Sequence, residues 1–175
     1  MPSHTQQLTT IGLVRSPFKE AAGMPIQPPF AEGTEGIVEV FPEYADGLHD
    51  LDGFDRIWLL YWFDRAPSPR LRVVPFRDEV QRGLFATRAP CRPNPIGLSC
   101  VRLLRIEHNL LTVGGLDILD GTPLLDIKPY VPGFDAFPQS RAGWLENQRA
   151  GRVLADDRFG PDGSRSSGGP RSELD

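Results

Sequence analysis

What most constrains this chain is the spacing of its apolar runs. Stretches that alternate apolar and polar residues, or are continuously apolar, fall at 10–14, 36–41, 56–63, 71–75, 83–87, 98–106, 110–113, 116–119 and 124–127, the pattern of strands with at least one face in a core. Gly, Pro, Asn or Asp separates them, and several lie too close together for the crossover helix that parallel pairing needs. Antiparallel pairing in a barrel or sandwich follows, so the expected class is mainly β. His108-Asn109 and Asp120-Gly121 suit tight turns, since Asn and Gly tolerate positive φ. Helix signals are few: a short piece near 42–51 and another near 140–150, where Trp144 and Leu145 would pack inward. From Asp156 the chain reads DDRFGPDGSRSSGGPRSELD, with too little apolar surface to offset ordering entropy. The expected division is a β domain over 1–155 and a flexible tail over 156–175.

At 175 residues the chain has the length of one domain. Eighteen prolines, about twice average usage, imply plentiful irregular or edge backbone. No basic stretch followed by an apolar run opens the sequence, and no segment approaches about 18 uninterrupted apolar residues. A cytoplasmic protein without a membrane partner is expected. Cys91 and Cys100 form neither a CxxC pair nor a disulfide framework, which fits a reducing compartment and no metal.

Charge is unevenly placed. The net value is −4, yet nine arginines (65, 70, 72, 77, 82, 88, 92, 102 and 105) and only two acids, Asp78 and Glu79, lie between Arg65 and Arg105. That segment carries +7 and the remainder −11. An all-arginine basic patch on an acidic protein suits either a defined phosphate or carboxylate partner, because guanidinium forks bind such anions in pairs of hydrogen bonds, or a set of solvated charges balancing acidic neighbours.

Within the patch, FATRAPCRPNPIGLS (85–99) is the most unusual stretch. Pro90, Pro93 and Pro95 fix their own φ and push Ala89, Arg92 and Asn94 toward extended backbone. The result is either a preorganised edge presenting Arg88, Arg92 and Asn94, or a proline-broken corner with incidental arginines. LDILDGTPLLDIKPY (116–130) clusters Asp117, Asp120 and Asp126 around a turn, with Lys128 and Tyr130 following. Such carboxylates accept hydrogen bonds from hydroxyl or amino groups when they are not simply solvated. DRIWLLYWFDR (55–65) reads as a buried strand with Trp58, Trp62 and Phe63 in the core, or as a base-stacking platform, with Asp64 and Arg65 emerging at its end. IQPPF (26–30) can present backbone carbonyls to a ligand. There is no GxGxxG, GxxxxGK[ST], HExxH or GxSxG.

Taken in order, IGLVRSPFKE, QPPF, LHDLDGFDRIWLLYWF, GLFATRAPCRPNPIGLS and LDILDGTPLLDIKPY resemble the TsaA-like, or TrmO-type, tRNA methyltransferases over about residues 9–138. The resemblance implies a single-sheeted, mostly antiparallel β-barrel with short peripheral helices, a homodimer with S-adenosylmethionine near the subunit interface, and N6-methylation of N6-threonylcarbamoyladenosine beside the anticodon of certain tRNAs. Carried over by position, it implies cofactor contacts from Gln27, Pro28, Pro29, Asp64, Arg65, Arg88, Leu98, Asp117, Ile118, Leu119 and Asp120. Histidine often stands in the family where this chain has Asp64. The target nitrogen needs an acceptor for its proton. Asp120 and Asp126 are both candidates, with Arg92 as a catalytic anion clamp and Arg92, Asn94, Lys128 and Tyr130 toward the tRNA. A non-catalytic RNA-binding barrel and a small-molecule methyltransferase on the same scaffold are the rival readings.

Overall fold

The computed structural model describes residues 6–147 and 153–160. Six strands close into a barrel: β1 (Gly12–Arg15), β2 (Glu35–Val40), β3 (Arg56–Trp62), β6 (Ile96–Glu107), β7 (Leu110–Gly114) and β8 (Pro123–Pro129), in the order β1-β2-β7-β6-β3-β8 with every pair antiparallel. Closure leaves no unpaired edge around the ring. The expected single-sheeted barrel is the observed architecture.

Alternation decides which side chains enter. In β3, Ile57, Leu59 and Tyr61 are buried, and they meet Val101, Ser99 and Gly97 of β6 across the ladder. Val14, Val38, Val40, Leu111, Val113 and Leu124 complete the interior, with Leu48 and Leu51 from two 3-10 turns, Pro42–Leu48 and Leu51–Gly53, packed against it. These turns stand where a helix was expected near 42–51. The β6–β7 hairpin turns at His108-Asn109, with His108 at φ 57°, and the Asn109 side chain donates to Val40 O at 2.7 Å.

A smaller annex sits beside the barrel. Here β4 (Arg72–Val73) pairs with β5 (Arg82–Gly83), and a 3-10 turn spans Leu84–Ala86. Val73, Leu84, Ala89, Cys91 and Phe159 form a second core, with Phe76 packed against it. Cys91 is fully buried in that core, and both cysteines are free.

Five further expectations need correction. The strand expected at 83–87 is mostly the Leu84–Ala86 turn, because Leu84 points into the annex core and Phe85 out of it. The run 116–119 is not a strand: Leu116 and Ile118 plug the barrel from an irregular connection tied to loops at its two ends, Leu116 N bonding Thr34 O and Asp120 N bonding Phe18 O. Trp58 and Trp62 occupy the outer face of β3 and Phe63 is only half-buried; Tyr61 is the aromatic residue of the interior. The helix expected at 140–150 is a 3-10 turn over Gly143–Asn147 with Leu145 exposed, and its last three residues lie outside the described ones. Finally, the tail expected from Asp156 begins with an ordered 3-10 turn, Asp157–Phe159, and Phe159 is buried against Phe76; positions 161–175 lie outside the described residues. Among the described residues no helix is long and apolar enough to cross a membrane, and no His, Cys, Asp and Glu cluster suits a metal.

Candidate functional site

One end of the barrel is overhung by four loops and by the returning chain near its C-terminus. Residues 24–27, the β3 exit at Phe63–Ala66, the proline-rich stretch at Arg88–Pro90, the connection Asp117–Leu119 and the segment Ala155–Phe159 enclose a cavity of about 140 Å³. Backbone hydrogen bonds hold the returning segment to the first loop: Gly23 N to Ala155 O, Ile26 N to Val153 O and Ala155 N to Met24 O. Arg158 fastens its far end, donating to Pro75 O at 2.9 Å and to the Asp156 carboxylate.

Polar groups of both signs face this cavity. Arg88 donates to the Gln27 side-chain oxygen at 2.6 Å, and Arg65 donates to Asp120 O at 2.7 Å while its Nε lies 3.6 Å from Asp64. Asp117 is buried and accepts from Ser99 Oγ at 2.6 Å; burial raises its pKa from 3.8 to about 6, against the Ser99 hydrogen bond and the Arg88 charge. Tyr61 OH lies 3.1 Å from Ser99 Oγ, and burial together with the Asp117 charge pushes its phenol well above the ordinary range.

A far larger open groove of about 1480 Å³ adjoins the cavity, and Ile26, Gln27, Phe76, Arg88 and Phe159 line both. Arg56, Arg77 and Arg102 face the groove alongside Phe30, Trp58, Phe85, Tyr130 and Trp144. Arg77 lies over Phe30 at 5.7 Å, and its buried Nε has no hydrogen-bond partner among the described residues. Trp58 packs edge-on to Tyr130 and donates to Asp135 at 3.4 Å; Trp144 donates to Ala86 O at 2.7 Å.

The structure gathers Gln27, Asp64, Arg65, Arg88, Asp117, Ile118 and Leu119 around the cavity, although they come from four separate segments. Pro28, Pro29 and Tyr130 line the groove instead. The others lie apart from both. Leu98 is exposed on the outer face of β6, opposite Leu60. Asp120 turns away, accepting from Lys19 Nζ at 2.6 Å and Ser16 N at 3.0 Å, and those two bonds hold its carboxyl below the usual range. Asp126 and Lys128 pair with each other at 2.8 Å on the barrel exterior. Arg92 donates to Thr87 O at 3.0 Å and lies over Phe85 at 5.6 Å, clasping its own loop, and Asn94 is exposed.

Sequence reasoning missed the inner wall. Ser99 and Gly97 stood in the quoted motif, Ser99 within the strand expected at 98–106 and Gly97 just before it, and a periodicity argument gives no reason to single them out. Phe159 carried no signal, being one aromatic residue in a polar stretch.

Residues 13–136 match the family model described as the tRNA-methyltransferase O N-terminal domain. A probable S-adenosyl-L-methionine-binding protein of Pyrococcus abyssi is 55% identical over 151 residues, covering 85% of this chain and 82% of the relative. A tRNA (adenine(37)-N6)-methyltransferase of Escherichia coli is 34% identical over 157 residues, covering 84% and 67%. The crystal structure of TrmO from Pseudomonas aeruginosa superposes with a TM-score of 0.70 at 40% identity, covering 82% of this chain and 62% of that one. The chain therefore spans less than two thirds of that solved protein.

Proposed function

Because this chain belongs to the tRNA-methyltransferase O family, matched over its N-terminal domain, we propose that it is an S-adenosylmethionine-dependent tRNA methyltransferase, acting on N6 of N6-threonylcarbamoyladenosine at position 37 as the name of its Escherichia coli relative suggests for the site and atom. The observation that carries the reading is convergence: seven of the residues that the resemblance assigns to the cofactor line one cavity, and that cavity opens onto a groove of arginines and aromatic rings.

The donor set fits the cofactor. Arg88 and Arg65 offer guanidinium forks for a carboxylate, Asp117 and Gln27 offer acceptors for hydroxyl or amino groups, and Phe63, Phe76 and Phe159 offer apolar surface. A cavity of about 140 Å³ is below the roughly 300 Å³ at which ligand pockets begin, so the bound molecule extends past Gln27 and Arg88 into the groove. When bound, S-adenosylmethionine supplies an electrophilic methyl group on a sulfonium. The chain's part is then positional: the phenylalanines exclude water, the arginines hold anionic groups, and the groove brings the target base to the cavity mouth.

In the groove, Arg56, Arg77 and Arg102 suit phosphates, while Trp58, Phe85 and Tyr130 suit unstacked bases. These residues, rather than Asn94 and Lys128, are the tRNA contacts this reading favours. A tRNA substrate also favours a cytoplasmic protein. The outer face of β3 and β6 exposes Ile96 and Leu98 beside Trp62, which supports a homodimer through that face. Light scattering on Leu98→Glu tests it, with a monomer expected.

The decisive assay compares methyl transfer to tRNA carrying the threonylcarbamoyl group with transfer to the same tRNA lacking it. Transfer to the first alone supports the reading. Equal transfer to both removes the finer substrate, and absence of cofactor binding by calorimetry removes the enzyme.

A further inference from the structure

Three elements converge on one buried chain of hydrogen bonds beside the cavity. Tyr61 comes from β3, Ser99 from β6 and Asp117 from the connection between β7 and β8, and all three are buried, at 4%, 1% and 8% exposure. Ser99 Oγ donates its one proton to Asp117 Oδ1 at 2.6 Å. Between Tyr61 and Ser99, 3.1 Å apart, the phenol must therefore be the donor. The chain runs one way, from Tyr61 through Ser99 to the carboxylate.

The motif is built around this arrangement. Tyr61 pairs with Gly97 across the ladder, and its ring lies where a side chain at 97 would be: a Cβ built there overlaps the ring. Gly97 seats the ring and Ser99, two residues on, receives its hydroxyl. Polar atoms buried inside a barrel cost stability unless satisfied, so a tyrosine, a serine and an aspartate that satisfy one another at a cavity wall point to use. Beyond Ser99, no other side chain of the described residues bonds Asp117.

We propose that Tyr61 and Ser99 are positioning residues that fix the Asp117 carboxylate as the hydrogen-bond acceptor at the inner wall of the cavity, for a hydroxyl or amino group of the bound nucleoside cofactor. The relay stands on its own geometry, and only the identity of the ligand rests on the cofactor reading. With Oδ1 taken by Ser99, the ligand meets the other oxygen. The charged and titratable groups around the same cavity are Arg88, Arg65, Asp64, Asp156 and Tyr61; Arg88 favours the ionised form and burial opposes it. The Ser99 hydrogen bond favours ionisation too, so removing it makes Asp117 hold its proton to higher pH.

The test measures two things on the full chain. Carboxyl carbon NMR follows Asp117 through pH in the ligand-free protein, and calorimetry reports S-adenosylmethionine affinity at pH 7.5. Ser99→Ala is expected to raise the Asp117 midpoint by about one pH unit and weaken binding about tenfold. Ser99→Thr restores both, and Tyr61→Phe moves both in the same direction by less. Thermal melts identify any variant that has lost its fold; where Ser99→Ala has, Tyr61→Phe against wild type decides, and an unmoved midpoint and affinity there overturns the proposal. An unmoved midpoint and affinity in folded Ser99→Ala overturns the proposal. Wild-type protein that releases no heat with S-adenosylmethionine overturns the cofactor reading instead, and the relay is then judged by the midpoint alone.

Discussion

The barrel and the annex hold themselves together differently. The barrel draws on six strands whose hydrogen bonds close on themselves, and its interior is built by alternate residues on each strand. The annex has two two-residue strands and a small core drawn from β4, a turn, a proline-rich loop and one distant aromatic side chain, Phe159. The cavity lies between them and takes walls from both: Tyr61, Asp117 and Ile118 from the barrel side, Phe76, Arg88, Pro90 and Phe159 from the annex side. A ladder that closes is cooperative, whereas a patch of loops opens piecemeal. Stability should therefore reside mainly in one region and ligand binding should depend on both.

The comparison breaks if a barrel substitution and an annex substitution do the same thing. Leu59→Ala removes a fully buried side chain at the centre of the barrel and should cost about 4 kcal/mol of global stability in denaturant unfolding. Phe159→Ala removes the outer wall shared by the annex core, the cavity and the groove. Its expected cost of about 3 kcal/mol falls on the annex, seen as faster amide exchange near Val73 and Leu84 and weaker cofactor binding, with a smaller change in the barrel's own unfolding.

Asp117 sharpens the comparison at the border. Its native carboxyl holds a proton up to about pH 6, whereas the unfolded chain releases it near 3.8. Between those values the native state binds more protons, so stability from this group falls as pH rises through that window and stays reduced above it. Asp117→Asn should therefore stabilise the protein by about 2 kcal/mol at pH 8 and by nothing below pH 3.8, while weakening cofactor binding. Thermal melts at the two pH values check it. The smallest effect is expected at Asp126, whose half-exposed pair with Lys128 is outside the cavity: Asp126→Asn should change stability by less than about 0.5 kcal/mol and leave methyl transfer within about twofold.

The same division explains what could be read from the amino acids. Barrel strands announced themselves because a closed ladder imposes period 2, and β2, β7 and β8 lie within two residues of their expected limits at each end. Period failed where backbone and burial part company. Leu116 and Ile118 fill the core from an irregular segment, and no barrel edge remained for them to pair with. In RIWLLYW both phases are apolar, so bulk pointed to the tryptophans while the ladder turned Ile57, Leu59 and Tyr61 inward. At the cavity, seven of the residues carried by the motifs were gathered, and others, such as Leu98 and Asp126 on the barrel exterior, were not. Asp120 parts from its neighbours Asp117, Ile118 and Leu119 because Lys19 and Ser16, about a hundred positions away, claim its carboxylate.

Phe159 adds a matter of order. The last barrel strand ends at Pro129, and the residue that completes both the annex core and the cavity lies thirty positions later. During synthesis, which presents the chain from its N-terminus, the barrel can close while its cavity still lacks a wall. The nascent protein thus acquires its architecture before its pocket, and a chain cut short anywhere between these two points would be folded yet unable to hold its ligand.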